Sequence, residues 1–489
     1  MKRLLLIFAF LLTVCFAQAQ WEDDVRLSET SDTSFLYFGK SHCIATNGDT
    51  VHVVWYEKTE NNWEIFYKRS TDSGYNWDGE IRLTYTEEFS QYPSVSVYGS
   101  LVYVIWEEFI DGNWEICFIR SMNGGEDWGE IIRLTEDQQI SYWSAIASNG
   151  SYVHVAWVSK DMDEQTWKIL YKYSTDAGLN WSDETWLSPN SPDAYNVSLS
   201  VSQTDVYVAW NDNRDWNLEI YYRKSSDNGT TWEPETRLTY DQSLSRFPCI
   251  SASGSNVDIV WEDYRSTFND IYFKCSIDGG ENWGEDIQVT NNPAGSFFPN
   301  LVFSNSVLHI VWQDTRGGVN DIYYNWSLDG GATWAGEMQL NNFSFSSERP
   351  FIAVSGPVLH VIWQDYRDFN YEIYYKQNST GGLVGIEDEP LSTSGGLISV
   401  YPNPASRLLT VDSRQSAVSG RRSAVCGRRS AVRLSIADLY GREIKEFVNI
   451  SLFPYQIDIS DLTNGVFILK MNDDSGNVGS VKFLKISDK

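Results

Sequence analysis

The sequence predicts an all-β chain: a seven-bladed β-propeller closed by its own N-terminal strand, followed by a small C-terminal β-sandwich. Three series predict it. A Ser-x-Asp/Asn-x-Gly-x-x-Trp string occurs six times, centred on Asp72, Asn123, Asp176, Asp227, Asp278 and Asp329, at spacings of 51, 53, 51, 51 and 51 residues. Seven apolar runs end in Trp55, Trp106, Trp157, Trp210, Trp261, Trp312 and Trp363, again 51 or 53 apart. An Arg-Leu-Ser/Thr string or a variant falls at 26–28, 82–84, 133–135, 186–188, 237–239, 288–290 and 339–341. A fixed period of this length marks a repeat architecture.

The elements follow in chain order. Lys2 and Arg3 precede an apolar run from Leu4 to Phe16 and then Ala17-Gln18-Ala19, which reads as a signal peptide over 1–19 cleaved after Ala19. Cys15 raises a lipoprotein alternative, but Val14 before it is too large for the usual lipobox. No later run approaches the 18 or so apolar residues that a spanning helix needs.

Residues 20–378 form the propeller. Each unit reads as four short strands, and in the second they fall at 93–97, 102–106, 115–119 and 131–134. β-Branched and aromatic residues dominate them, with turn residues between. The runs are apolar on both faces, as sheets sandwiched between neighbouring blades require, and four-stranded sheets repeated about an axis make a propeller. Closure is readable because the first Arg-Leu-Ser copy precedes any inner strand, while blade 7 has no copy after Ile373-Tyr374-Tyr375. Segment 23–28 is therefore expected beside 371–376, where it hides two sheet edges.

Of the 21 Trp, 13 occupy repeat positions, so the aromatic excess is architectural. The formal charge of −29 excludes nucleic acid as an expected partner, because phosphate neutralisation needs a basic face. That charge precedes the tail: residues 398–489 hold 13 Lys and Arg against 9 Asp and Glu. Cys43, Cys117, Cys249, Cys275 and Cys426 are scattered without paired spacing and read as free thiols.

The six strings resemble the Asp-box (BNR) repeats of sialidase-like propellers, over about residues 21–380. Their chemistry is structural: Ser and Asp accept turn N–H groups, Gly takes a positive φ, and Trp brings apolar area to the turn. The resemblance implies that the boxes lie between third and fourth strands, away from the functional face. Sialidases of that family use three arginines on the substrate carboxylate, a Tyr–Glu nucleophile pair and an Asp acid/base, with the first arginine in an R-I-P motif. The matching strand here reads Lys40-Ser41-His42-Cys43-Ile44, so no catalytic residue carries over.

If the boxes occupy one rim, loops between second and third strands and between blades share the other face, where a rigid scaffold carries ligand contacts. Four such loops carry W-x-D-x-R, pairing Asp212, Asp263, Asp314 and Asp365 with Arg214, Arg265, Arg316 and Arg367. These arginines either grip an anionic sugar or brace their own loops. Blades 1 to 3 lack the pair and place Trp63, Trp114 and Trp167 before the third strand, with Trp143 on the adjoining loop. Such rings either stack on sugars or cap the core. Arg246 and Arg349, at the start of inner strands, are candidate anion contacts. Blade 3 adds the acidic loop Ser159-Lys160-Asp161-Met162-Asp163-Glu164, either solvated or able to hold Ca²⁺ or act as acid/base.

Residues 379–397 read as a Ser/Gly/Thr linker. Beyond it, Val400-Tyr401-Pro402-Asn403-Pro404-Ala405, Leu434–Arg442, Ile457–Leu462 and Gly465–Lys470 closely resemble the C-terminal sorting domain of the type IX secretion system of Bacteroidota-like bacteria, over 398–489. This implies passage across the outer membrane, engagement of the secretion machinery, and a secreted or cell-surface destination. A near-repeat at 416–422 and 423–429 reads as an exposed basic insertion.

The expected function is binding of extracellular glycan or polymer without catalysis, by a monomer with no cofactor or metal. An exo-acting glycoside hydrolase of sialidase-like type and an adhesion module are the alternatives. A Tyr–Glu pair facing an arginine cluster discriminates for the enzyme, and an aromatic face without one for binding.

Overall fold

The structure, a computed structural model, describes residues 21–30, 32–36, 42–60, 62–136, 138–304, 307–342, 344–379, 398–401, 408–413, 432–437, 443–450, 455–462, 465–473 and 476–485. The expected signal peptide, all but one residue of the linker, and the basic insertion with Cys426 lie outside the described residues. Every regular element described is a β-strand.

Residues 25–378 form seven antiparallel sheets, six with four strands and one with five. Blade 2 runs Ser90–Tyr98, Leu101–Ile110, Asn113–Ser121 and Ile132–Arg133. Inner strands touch in turn from Ile44–Asn47 through Ser90–Tyr98, Ile140–Asn149, Ala194–Ser202, Ser245–Ser253, Ser296–Ser304 and Ser347–Ser355, and the last returns to the first. The ring is closed. Its axis holds a channel of about 250 Å³ lined by inner-strand residues such as Val95, Ile146, Leu199, Ile250, Leu301 and Ile352.

The N-terminal strand completes blade 7, with Val25 opposite Tyr375 and Arg26 opposite Tyr374. The Arg-Leu-Ser/Thr string now has a physical reading. In all seven copies its last side chain accepts the N–H of an isoleucine on the third strand, as Thr135 does from Ile116 at 2.9 Å and Ser28 from Ile373 at 3.0 Å. Arg26 also pairs at 2.5 Å with Glu372, which is buried.

The Ser-x-Asp turns are bonded as their residue types require. In the second, Gly125 N–H donates to Ser121 Oγ at 2.8 Å, and Asp127 N–H donates to Asn123 Oδ1 at 2.9 Å. Gly125 sits at φ +87°, and a Cβ there would meet Tyr67 Oη at 1.9 Å. Glycine is thus needed twice, for the backbone and for the preceding blade's ring.

The box indoles pack between blades rather than beneath their own turn. Trp77, Trp128, Trp181, Trp232, Trp283 and Trp334 each stand edge-on, at 75–82°, against Tyr375, Tyr67, Phe118, Tyr171, Tyr222 and Phe273 of the preceding blade. Blade 7 has no box, so Tyr324 of blade 6 would lack its partner. Trp21 supplies it, with centroids 5.2 Å apart at 77°. The next residue repeats the pattern too: Glu22 N–H donates to Gln377 O at 2.9 Å, as Gly129 N–H does to Arg120 O. The N-terminus therefore provides both the missing strand and the missing indole.

The seven strand-ending tryptophans are fully buried. Six give their Nε1–H to a carboxylate two residues on, as Trp106 does to Glu108 at 2.6 Å and Trp261 to Asp263 at 2.8 Å. A buried indole thus keeps its hydrogen bond. Cys43, Cys117 and Cys249 are buried, and Cys275 is half-buried.

The tail has a three-stranded sheet (Ile398–Tyr401, Leu408–Ser413, Tyr455–Asp458) and a four-stranded one (Val432–Ala437, Glu443–Ile450, Gly465–Asp473, Gly476–Lys485). Leu409, Val411 and Ile457 of the first share a core with Leu434, Ile436 and Leu469 of the second, which makes a sandwich.

Candidate functional site

The face opposite the Ser-x-Asp turns is shaped by a device that the sequence did not announce. In blades 2 to 7 the inner strand carries a β-bulge near its start, seen as register slips such as Gln91/Ser94 and Tyr142/Ala145. One residue at each bulge has positive φ: Tyr92 (55°), Trp143 (49°), Asn196 (54°), Phe247 (54°), Phe298 (51°) and Arg349 (55°). For a non-glycine this costs about 1–2 kcal/mol, and bulges of this kind re-aim a side chain. Hydrogen bonds across blades hold several of them. Trp143 N–H donates to Glu107 at 2.6 Å, Phe247 to Asn211 at 3.3 Å, Phe298 to Glu262 at 2.7 Å and Arg349 to Gln313 at 3.3 Å. Each acceptor directly follows a strand-ending Trp. In blade 1, Leu36 N–H reaches Gln364 in the same way at 3.2 Å.

These bulges precede the channel-lining residues along each inner strand, so they ring the channel mouth. One readable trace existed: Pro93, Pro248, Pro299 and Pro350 follow four of them, and proline inside a strand is confined to edges and bulges.

The structure joins three of the four predicted tryptophans. Trp143 stacks on Trp167 at 5.7 Å and 12°. Tyr142 contacts both, and also Trp114 at 6.4 Å, while Tyr195 lies 5.5 Å from Trp167. Lys160 Nζ stands 4.9 Å over the Trp167 ring. Trp114, Trp143 and Trp167 are each half-buried. Trp63 belongs to a separate group, packed on Phe35 and Tyr56, and Tyr56 in turn contacts Tyr92.

The arginine ring of the W-x-D-x-R loops is already engaged. Arg265 places Nε and Nη2 on Asp263 at 2.8 and 2.7 Å, and Arg316 and Arg367 grip Asp314 and Asp365 with the same fork. Each also reaches an acid before an outer strand: Asp286, Glu337 and Asp24. Their guanidinium groups lie over Tyr272, Tyr323 and Tyr374. A fork spent on an internal carboxylate is not offered to a ligand, so the loop-bracing reading describes these contacts.

Arg246 is one residue off the bulge and bonds Glu262 at 3.2 Å and the Tyr264 hydroxyl. Arg349 stands on the bulge, donates to Leu36 O at 3.3 Å, and lies near Tyr56, Tyr92 and Tyr371. Beside it Tyr371 Oη donates to Glu348 at 2.9 Å, and burial followed by that carboxylate pushes the phenol up to about 12. Near Tyr92 and Tyr142 lies Glu107, whose burial raises its carboxyl well above the ordinary range against the pull of the Trp143 N–H.

In blade 3, Asp161 accepts N–H groups from Asp163 and Glu164 at 2.9 and 3.0 Å, which lower its pKa. It caps its own turn, and no group of three or more metal-ligating side chains is found among the described residues.

The family model for the secretion system C-terminal sorting domain matches residues 399–485. The tail is a type IX sorting domain. It marks the chain for export across the outer membrane, to the cell surface or beyond. No curated protein matches the sequence. Among solved structures, the polysaccharide lyase Uly1 is 8% identical, with a TM-score of 0.52 over 73% of this chain and 99% of that one. The Hadza microbial sialidase Hz136 is 13% identical, with a TM-score of 0.45 over 66% and 73% of the two chains. The phage phi92 endosialidase is 11% identical, with a TM-score of 0.44 over 94% and 87%. At such identities the likeness concerns the fold.

Proposed function

We propose that the exported propeller binds an extracellular glycan at the channel mouth, on the belt Trp114–Tyr142–Trp143–Trp167–Tyr195. The observation that carries this reading is the Trp143–Trp167 stack. A large aromatic is held in left-handed backbone geometry by a cross-blade hydrogen bond to Glu107 and remains only half-buried. Strain kept at such a position supports a role outside folding. Half-buried flat rings, with the Tyr142 and Tyr195 hydroxyls and the Lys160 ammonium close by, suit the C–H face and hydroxyls of a sugar.

Glycan-array screening of the mature protein tests this, with turnover measured on every hit. Trp167→Ala and Trp114→Ala should each weaken binding to the same glycan roughly tenfold, on the scale of one lost aromatic contact. Unchanged binding in both removes the belt from the site.

Hydrolysis is the second reading, favoured by the Tyr371–Glu348 pair beside Arg349. Its weakness is chemical. The phenol is pushed up rather than down, and one arginine stands where a cluster is needed. Turnover by the wild type that Tyr371→Phe abolishes would establish it over binding alone.

A further inference from the structure

Three of the four W-x-D-x-R loops close the same turn, and its fourth residue differs in an informative way. In blade 6 the turn Thr315-Arg316-Gly317-Gly318 is closed by Gly318 N–H to Thr315 O at 3.0 Å, with Gly318 at φ +88°. In blade 4 the same bond runs from Trp216 N–H to Asn213 O at 3.1 Å, and in blade 7 from Phe369 to Tyr366 at 3.1 Å. Trp216 and Phe369 take φ of +63° and +64°. A position that one blade gives to glycine, which adopts this geometry freely, is given in two others to bulky aromatics that adopt it under strain.

At Trp216 packing does not repay the strain, while Phe369 stands edge-on against Phe345 at 5.5 Å. Trp216 is 96% exposed and Phe369 is 76% exposed. Yet the loop beneath Trp216 is rigid: Arg214 grips Asp212 and Glu235, Asp215 accepts from Tyr221 Oη at 2.6 Å and from Arg237, and Asn217 donates to Glu219 and to two backbone carbonyls. A braced turn thus presents one bare indole.

That indole is registered to the belt at the channel mouth. Trp167 N–H donates to Pro192 O at 2.8 Å, and Asn213 N–H donates to the adjacent Asp193 O at 3.0 Å. One short segment therefore ties the stacked pair to the turn bearing Trp216.

Resting on the proposed glycan site, we infer that Trp216 is an outer subsite for the same ligand, which is an uncharged polysaccharide long enough to run from the channel mouth to the rim. In the chain Trp216 is flanked by Arg214, Asp215 and Asn217, all of which make hydrogen bonds. A single indole plane among hydrogen-bonding groups suits one pyranose ring. The net charge of −29, carried by the chain ahead of the tail, disfavours a polyanion.

Native electrophoresis of the mature protein through gels containing xylan, arabinan, mannan, laminarin, hyaluronan or polysialic acid tests this. At least one of the four neutral polymers should retard the protein. Trp216→Gly should weaken that retardation roughly fivefold or more while leaving thermal stability equal or higher, since glycine relieves the turn. It should leave binding of the matching disaccharide unchanged, whereas Trp167→Ala loses both. Retardation unaltered by Trp216→Gly overturns the outer subsite and leaves the belt standing. Retardation by the polyanions alone overturns the ligand class. No retardation in any gel overturns both readings.

Discussion

Trp21 closes the propeller by supplying the seventh indole of a set whose other six come from internal turns, so its removal should open the ring at one place. The contact is an edge-on pair with Tyr324 at 5.2 Å, on a cluster that includes Leu340, Ile352 and Trp363. Truncating a fully buried Trp to Ala costs about 3–5 kcal/mol. Trp21 is only partly buried, so about 2–3 kcal/mol is expected on that scale. Trp128→Ala should cost a similar amount, because Trp128 makes the same contact with Tyr67 at 4.9 Å. The two variants should differ in where the damage appears. Trp128 is held by chain on both sides, while Trp21 lies ahead of a two-residue strand, Val25–Arg26, bonded to Tyr374 and Tyr375. Urea unfolding measures the loss, and hydrogen exchange locates it. In Trp21→Ala, amides of Glu372–Asn378 should exchange faster by opening of the edge, while blades 2 to 5 keep their protection. In Trp128→Ala, Glu372–Asn378 should stay protected. A Trp21→Ala protein within about 0.5 kcal/mol of wild type, the usual range of a neutral surface change, with unchanged exchange at 372–378, would refute this closure.

Three other outcomes follow from the same geometry. Gly125→Ala should cost about 2–4 kcal/mol in urea unfolding, from positive φ plus overpacking, because its Cβ would meet Tyr67. Gly124→Ala, also at positive φ but with only Arg69 within reach at 3.8 Å, should cost less. Asp258 has its carboxyl pushed up to about 8 by burial. The folded state thus keeps a proton that the unfolded state sheds, and stability falls by about 1.4 kcal/mol per pH unit between roughly pH 4 and 8. Asp258→Asn should gain melting temperature over wild type steadily from pH 5 to pH 8, and a pH-independent difference would contradict this. Glu107, with its pKa raised by burial, accepts the Trp143 N–H where blades 6 and 7 use Gln313 and Gln364. Glu107→Gln should therefore keep both fold and glycan binding, and loss of binding with an intact fold would assign the carboxyl a direct role.

The repeats carried the architecture because each copy obeys a local rule. Ser at one position and Asp two later can satisfy a turn, and a Ser or Thr after Arg-Leu can cap the third strand, whichever blade is considered. Both rules are visible in sequence, including the displaced first copy that placed 23–28 beside 371–376. The role of Trp21 was not visible. It stands in for a Trp of a box that is absent, and nothing around it repeats the Ser-x-Asp-x-Gly frame. Its function follows only from the ring on the preceding blade.

The proposed site was legible in part, and the division has a physical cause. Trp114, Trp143 and Trp167 were found because blades 1 to 3 depart from the W-x-D-x-R loop, and a departure from a repeat is a local fact. The Arg265, Arg316 and Arg367 ambiguity could not be resolved from spacing, because gripping a ligand and gripping Asp263, Asp314 or Asp365 demand the same residue types. Only the geometry decides, and it puts each fork on its own aspartate with a tyrosine beneath. The bulges at Tyr92 through Arg349 are a cross-blade property: the strain lies on one inner strand, and in blades 3, 5, 6 and 7 the acceptor offsetting it lies a blade earlier, on the residue after a buried Trp. That separation of 36 residues is why Glu107 and Trp143 look unrelated in sequence while sharing a 2.6 Å hydrogen bond. It also makes the mouth of the channel the place where an altered side chain in one blade re-aims a contact in the next.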